Sequence, residues 1–228
     1  MLETAKAIAQ ACGAIREDWN GFNLLQYAAS RVGALDLGFV PAKSGKDMAG
    51  IIQGIAKKEI KFVYLLGVDE IDMKYFGETF VVYQGHHGDI GAHRADVVLP
   101  GAAYTEKDAL YVNTEGRVQE AFRAVFPPGQ AREDWAIIRA LSDVLSRTLP
   151  YDTQEQLRAR MVKENPVFAS RDVLERGAWA PSASKSLSSG AFEPGISNFY
   201  MTDPISRASV TMAQCVEQIL KPKEAKAA

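Results

Sequence analysis

The sequence predicts an α/β fold: a parallel sheet with flanking helices, followed by a long irregular C-terminal segment. Three observations predict it. The runs KFVYLLG (61–67), TFVVYQ (79–84) and ADVVLPG (95–101) are continuously apolar, as strands covered on both faces are. Amphipathic helical patterns stand before and after them. The stretch GAWAPSASKSLSSGAFEPGISN (177–198) is rich in Ser, Gly and Pro and carries no periodicity.

Each element follows in order. Residues 3–17 place Ile8, Ala11, Cys12 and Ile15 at helical spacing, and Trp19-Asn20-Gly21 stops that pattern. NLLQYAASRVGAL (23–35) reads as a second helix, ended by Gly33 or Gly38. After a polar loop at 41–46, residues 47–58 align Met48, Ile51, Ile52 and Ile55 on one face, with Lys57 and Lys58 at the C-terminal end of the dipole. The link VDEIDMKYFGE (68–78) has room for one or two helical turns between the first two strands. A loop then leads to the third strand, and residues 100–131 are turn-rich.

A further helix starts near Arg132, with Glu133 and Asp134 in its first turn, an apolar face of Ile137, Ile138, Leu141, Val144 and Leu145, and Pro150 behind it. Asp152 with Glu155 reads as a capping box for the next helix, which ends before Asn165-Pro166. Asp203-Pro204 begins a last helix, whose apolar stripe is Ile205, Ala208, Met212, Cys215, Val216 and Ile219. The expected division is an α/β domain at 1–165 and an extension at 166–228 holding the irregular segment and the final helix.

Composition bounds the function. An apolar fraction of 47% with 24% charged residues is that of a globular chain able to bury a core. A net charge of −2 supplies no field for nucleic acid or an anionic membrane. No apolar run is long enough to span a bilayer, and the N-terminus reads as a helix, not a signal peptide. The two cysteines, Cys12 and Cys215, lie far apart and make neither a disulfide framework nor a four-thiolate site.

Chemistry concentrates in YQGHHGDIGAH (83–93), which holds all three histidines. His86, His87, His93 and Asp89 are ligand types for zinc or iron. Their spacing favours a hydrogen-bonded loop, because neighbours on extended backbone point opposite ways. Gly85, Gly88 and Gly91 make GxxGxxG rather than the dinucleotide fingerprint GxGxxG, and a strand is expected after them where the fingerprint needs a helix. The loop still follows a parallel strand, where open α/β sheets bind ligands. Glu106 and Glu115 form a possible acid/base pair and Arg117 an anion clamp, against turn chemistry around Asn113 and Gly116.

Beyond spacing, ADVVLPGAAYTEKDALYVNTEGRVQ (95–119) resembles a signature of the molybdopterin oxidoreductase superfamily. GALDLGF (33–39), YQGHHGD (83–89), PPGQAREDWAIIRALSDV (127–144), LPYDT (149–153) and FYMTDPISRASVTMAQCV (199–216) resemble the C-terminal part of the large iron–sulfur subunit of respiratory complex I, the NADH:ubiquinone oxidoreductase. The resemblance runs from about residue 23 to residue 216.

It implies a molybdopterin-oxidoreductase-like C-terminal domain with a structural role in the peripheral arm, in a complex carrying electrons from NADH to quinone. It implies [2Fe–2S] and [4Fe–4S] clusters on an N-terminal part or a partner polypeptide, none held by this chain, and other peripheral-arm subunits as partners. Gly85, His86, His87, Gly88, Asp89, Glu106, Asn113, Glu115 and Arg117 would then line a vestigial cofactor cleft. Trp179, Phe192, Phe199 and Tyr200 suit anchoring on neighbours. The implied location is the matrix side of the mitochondrial inner membrane, or the cytoplasmic face of an alphaproteobacterial one. The competing readings are part of an active molybdenum or tungsten oxidoreductase of the formate dehydrogenase kind, and a free nucleotide-binding module. Met1 fits a separately encoded chain, and the same sequence fits a segment of a longer one.

Overall fold

A computed structural model describes residues 1–174, 190–191 and 195–221. Most of the expected irregular segment, with Trp179 and Phe192, lies outside the described residues. The chain packs as two compact units: Met1–Gly38 with Leu110–Glu120 and Arg158–Gly195, and Phe39–Ala109 with Ala121–Leu157 and Ile196–Ala228.

The second unit carries the sheet. Strands β1 (Phe62–Leu66), β2 (Phe80–Gly85) and β3 (Val97–Pro100) lie in the order β1-β2-β3 and are all parallel, as the apolar runs predict. Tyr64 pairs with Val82, and Val82 with Val97, which fixes the register across the sheet. One face packs on a cluster of Ile55, Leu65, Phe76, Val81 and Tyr83. Helix α3 (Met48–Ala56) supplies Ile55 to that cluster and Ile51 against it, and the Asp47 carboxylate caps it by accepting from the Gly50 N–H at 2.8 Å. The link between β1 and β2 contains a single 3-10 turn, Met73–Phe76.

In the first unit, helices α1 (Leu2–Ala11) and α2 (Arg31–Asp36) accompany a hairpin of β4 (Ala109–Val112) and β5 (Val118–Ala121). Its core is Val112, Val118 and Phe168, with Val32, Met161 and Val162 against it. Helix α5 (Asp134–Val144) belongs to the second unit, and α6 (Gln154–Glu164) follows it in sequence.

Several boundaries differ from expectation. The first helix ends at Ala11, not Arg16 or Glu17, because Gly13 turns the chain at φ +70°. Residues 23–30 form no helix, and α2 begins only at Arg31. The turn-rich 100–131 region holds the β4–β5 hairpin, whose four-residue strands are too short to show a period. The apolar stripe of α5 is covered only in places, since Val144 is 81% exposed. Asp152 does not cap α6. Thr153 does, its hydroxyl accepting from the Gln156 N–H at 3.2 Å, while Gln156 Oε1 accepts from the Asp152 N–H at 2.7 Å. The last helix is interrupted: α7 (Pro204–Ala208) ends at Ser209, which caps α8 (Val210–Cys215), and one π-turn, Val216–Leu220, follows.

Candidate functional site

The C-terminal ends of β1, β2 and β3 lead into Gly67-Val68-Asp69, Gly85-His86-His87-Gly88-Asp89 and Gly101. That is the edge at which parallel sheets bind ligands. Helix α4 (Ile90–Arg94) rises directly from the histidine loop, with Asp89 as its N-cap accepting from the Ile90 N–H at 2.7 Å. A one-turn helix, not a strand, therefore follows the glycines. Five residues are too few to show a helical period, so sequence could not separate it from a loop.

The glycines have an occupant. A Cβ on Gly85 would lie 2.3 Å from the Tyr83 hydroxyl oxygen, and one on Gly91 would lie 2.7 Å from the Tyr83 ring and 2.8 Å from the Val68 carbonyl. Tyr83 is itself buried, and that burial pushes its phenol above the ordinary range. The close approach that GxxGxxG permits is filled from within the chain by an aromatic ring. Gly88 faces open space.

Two polar networks flank this core. In the first, Arg207 from α7 donates from Nε to Asp89 at 2.5 Å and from a terminal nitrogen to Asp69 at 2.7 Å. Asp69 is 3% exposed, and its second oxygen is buried with no hydrogen-bond partner among the described residues. Burial pushes the Asp69 carboxyl up, with the Arg207 charge and hydrogen bond opposing. Asp89 goes the other way: burial raises it, but hydrogen bonds from Arg207 and the Ile90 N–H hold it below the ordinary carboxylate range. In the second network Tyr64 donates its hydroxyl to Gln84 Oε1, Gln84 Nε2 donates to Asp134 Oδ1 at 2.9 Å, and Lys107 pairs with the same Asp134 carboxylate. Gln84 is fully buried, so these bonds satisfy an amide that would otherwise be stranded in the core.

The sequence candidates divide between these surroundings. His86 and His87 bring their Nδ1 atoms to 2.8 Å and their rings edge to face. The expectation that they point apart fails, because a bend at residues 86–87 replaces extended backbone. His86 keeps some of its ring at solvent; desolvation of the remainder, then His87 and Lys107, lower its pKa. The Glu106 carboxylate accepts from the Ala103 N–H at 2.9 Å, closing its own 3-10 turn. Asn113, Glu115 and Arg117 belong to the first unit, in the β4–β5 turn. Asn113 Oδ1 accepts from the Glu115 and Arg117 N–H groups at 3.0 Å each. Arg117 pairs with Glu115 at 3.6 Å and donates to the Asp172 carbonyl. Glu106 and Glu115 thus serve turns in separate units. Asp69, Gln84, Lys107, Asp134 and Arg207 were not read as site residues from sequence, Asp134 being read only as a first-turn acid. The one signal available was a glutamine closing an apolar strand, in TFVVYQ.

The fold could imply two kinds of bound group, and each makes its own demand on the donor set. A cluster of iron and sulfur takes four protein ligands, mostly thiolates. Cys12 is exposed, Cys215 is half-buried, and no group of three or more His, Cys, Asp or Glu able to hold a metal ion occurs among the described residues. A pterin dinucleotide needs free cations or N–H groups for its phosphates. Here Arg207 is taken by two carboxylates, Lys107 by Asp134, and the glycine approach by Tyr83. The two cysteines do not suit a cluster, and Arg207 and Lys107 at this sheet edge are already committed to carboxylates.

Comparison with known proteins decides the family. Residues 1–144 match the molybdopterin oxidoreductase family, and residues 172–215 match the C-terminal region of the G subunit of NADH-ubiquinone oxidoreductase. The chain belongs to the molybdopterin oxidoreductase family. It is 45% identical over 222 residues to the NADH-ubiquinone oxidoreductase 75 kDa subunit of Reclinomonas americana, covering 94% of this chain and 31% of the relative. It is 48% identical to the mitochondrial 78 kDa subunit of Neurospora crassa, over 91% of this chain and 28% of the relative. For the NADH-quinone oxidoreductase G subunit of Rickettsia bellii the identity is 45%, over 89% and 28%. These matches bear out the resemblance read from YQGHHGD and NTEGRVQ, and the parallel sheet agrees with the family. The chain spans less than a third of the length of these relatives.

Proposed function

We propose that this molybdopterin oxidoreductase family member is the structural C-terminal portion of the large iron–sulfur subunit of complex I. It supports electron transfer from NADH to quinone without carrying electrons itself. The observation that carries the reading is similarity, over 91–94% of this chain, to under a third of the length of subunits of that enzyme, joined to a sheet edge whose polar groups already engage one another. The [2Fe–2S] and [4Fe–4S] clusters then sit on the N-terminal portion of the subunit or on a partner polypeptide.

Gly85, His86, His87, Gly88, Asp89 and Glu106 in one unit, and Asn113, Glu115 and Arg117 in the other, are remnants of cofactor-binding segments, each turned to internal hydrogen bonding. Residues 166–228 dock on other peripheral-arm subunits, with the half-exposed Phe199–Tyr200 pair, ring centroids 4.5 Å apart, as anchor. No described helix is long and apolar enough to cross a membrane, which accords with a place in the peripheral arm at the matrix or cytoplasmic face.

The test is native electrophoresis of a tagged chain from its own cells. It should co-migrate with NADH dehydrogenase activity and with a larger iron–sulfur polypeptide. Migration apart from both would overturn the assignment, and stoichiometric molybdenum or tungsten in the isolated complex would overturn the non-catalytic role.

A further inference from the structure

The three-stranded sheet packs on α3 through one face and is covered only in part on the other, where Gln84 meets Asp134 at the start of α5. Register places Phe62, Tyr64 and Leu66 of β1, Phe80, Val82 and Gln84 of β2, and Val97 and Leu99 of β3 on the face away from α3. Val82 and Gln84 are buried, but Phe62 is 55%, Leu66 45%, Phe80 47% and Val97 40% exposed. The Phe62 and Phe80 rings stack at 6.1 Å and extend this apolar row towards the strand N-termini. Parallel sheets bury both faces under helices, so the part of this face around Phe62, Leu66, Phe80 and Val97 is unfinished.

A second observation is independent of side chains. Strand β1 pairs with β2 alone among the described strands, leaving its outer backbone edge without a ladder partner. The edge of β3 is otherwise engaged: Arg132 bridges to Gly101, its N–H donating to the Pro100 carbonyl at 3.1 Å. Exposed edge strands are normally guarded by charge, proline or a bulge. FVYLL has none of these.

We propose that this face and the free edge of β1 receive a strand and an amphipathic helix from the rest of the large iron–sulfur subunit. The strand adds in parallel beside β1, and the helix lays an aliphatic side over Phe62, Leu66, Phe80 and Val97. The occupant follows from length. This chain covers 28–31% of its relatives and matches the C-terminal region of the G subunit, so over two thirds of such a subunit is polypeptide not contained here. A crossover segment from that polypeptide meets both needs at once, whereas a loop or a charged surface meets neither. The inference rests on the proposed complex I membership.

The test uses the tagged chain in its own cells, with a photoreactive phenylalanine analogue at Phe80 and, as control, at Lys74 on the covered side. Illumination should join Phe80, and not Lys74, to the larger iron–sulfur polypeptide, identified by mass spectrometry. Phe62→Asp with Leu66→Asp should lower co-migration with that polypeptide at least tenfold, while the chain's cellular level changes less than twofold. Co-migration of the parent chain, with no Phe80 adduct to that polypeptide or an adduct only to a second copy of this chain, overturns the docking proposal and leaves the functional assignment standing. Absence of co-migration in the parent chain overturns the assignment and this proposal with it. If the double variant is lost from cells, the Phe80 adduct alone decides.

Discussion

Arg207 holds together one of the two polar networks at the sheet edge. Its guanidinium is the only cation paired with Asp69 and Asp89 in the described ion pairs, and the Asp69 side chain is 2% exposed. Arg207→Ala should strand that carboxylate and destabilise the protein by about 3 kcal/mol, as breaking a buried pair does. The check is a thermal melt, with a downward shift on the order of 6–12 °C for a chain of this size. Asp89 contributes to the acid limb of the pH response. Its folded-state pKa lies below the unfolded one, so the stability it contributes is full above about pH 4 and is lost as pH falls through the folded value. Urea titrations of Asp89→Asn should therefore show a deficit at neutral pH that closes under acid. A deficit unchanged at acid pH would deny the carboxylate this role. None of this was legible in sequence, because Arg207 lies 118 residues beyond Asp89 and 138 beyond Asp69.

At the scale of elements, the glycine loop shows how a motif that suggests ligand binding can serve packing. Gly91 is the second residue of α4, and a Cβ there would lie 2.7 Å from the Tyr83 ring and 2.8 Å from the Val68 carbonyl. Gly91→Ala should cost about 1–3 kcal/mol through overpacking, while Gly88→Ala, facing open space, should leave the melting temperature nearly unchanged. Equal shifts in the two melts would refute the account. Strands β1 to β3 and helix α3 were legible because each carries an unbroken apolar run or face. The end of α1, the cap of α6 and the break at Ser209 were not. Each turns on one backbone angle or one hydroxyl, and neighbouring Asp152 or Gly21 offered equally good local chemistry.

For the whole molecule, two compact units form from segments that interleave along the chain, and each has its own core. Side chains within them are engaged in structure: His86 and His87 contact each other, Glu106 closes a turn, and Arg117 braces Asp172. The purified chain should accordingly contain less than about one-tenth iron atom per chain by elemental analysis after anaerobic preparation, as the ligand requirement of a cluster demands. Stoichiometric iron with inorganic sulfide would contradict the assignment of clusters to other polypeptide.

The sequence by itself determined the family, the parallel strands and the scarcity of cluster ligands. These reside in contiguous motifs, apolar runs and the identity of side chains, which need no third dimension to be read. Only the tertiary structure decided that Tyr83 fills the glycine approach, that Arg207 joins two distant aspartates, that one face of the sheet is covered only in part, and that the outer edge of β1 has no ladder partner among the described strands. Those features depend on which residues meet across long stretches of chain, and pairing at that distance leaves no local periodicity in the sequence.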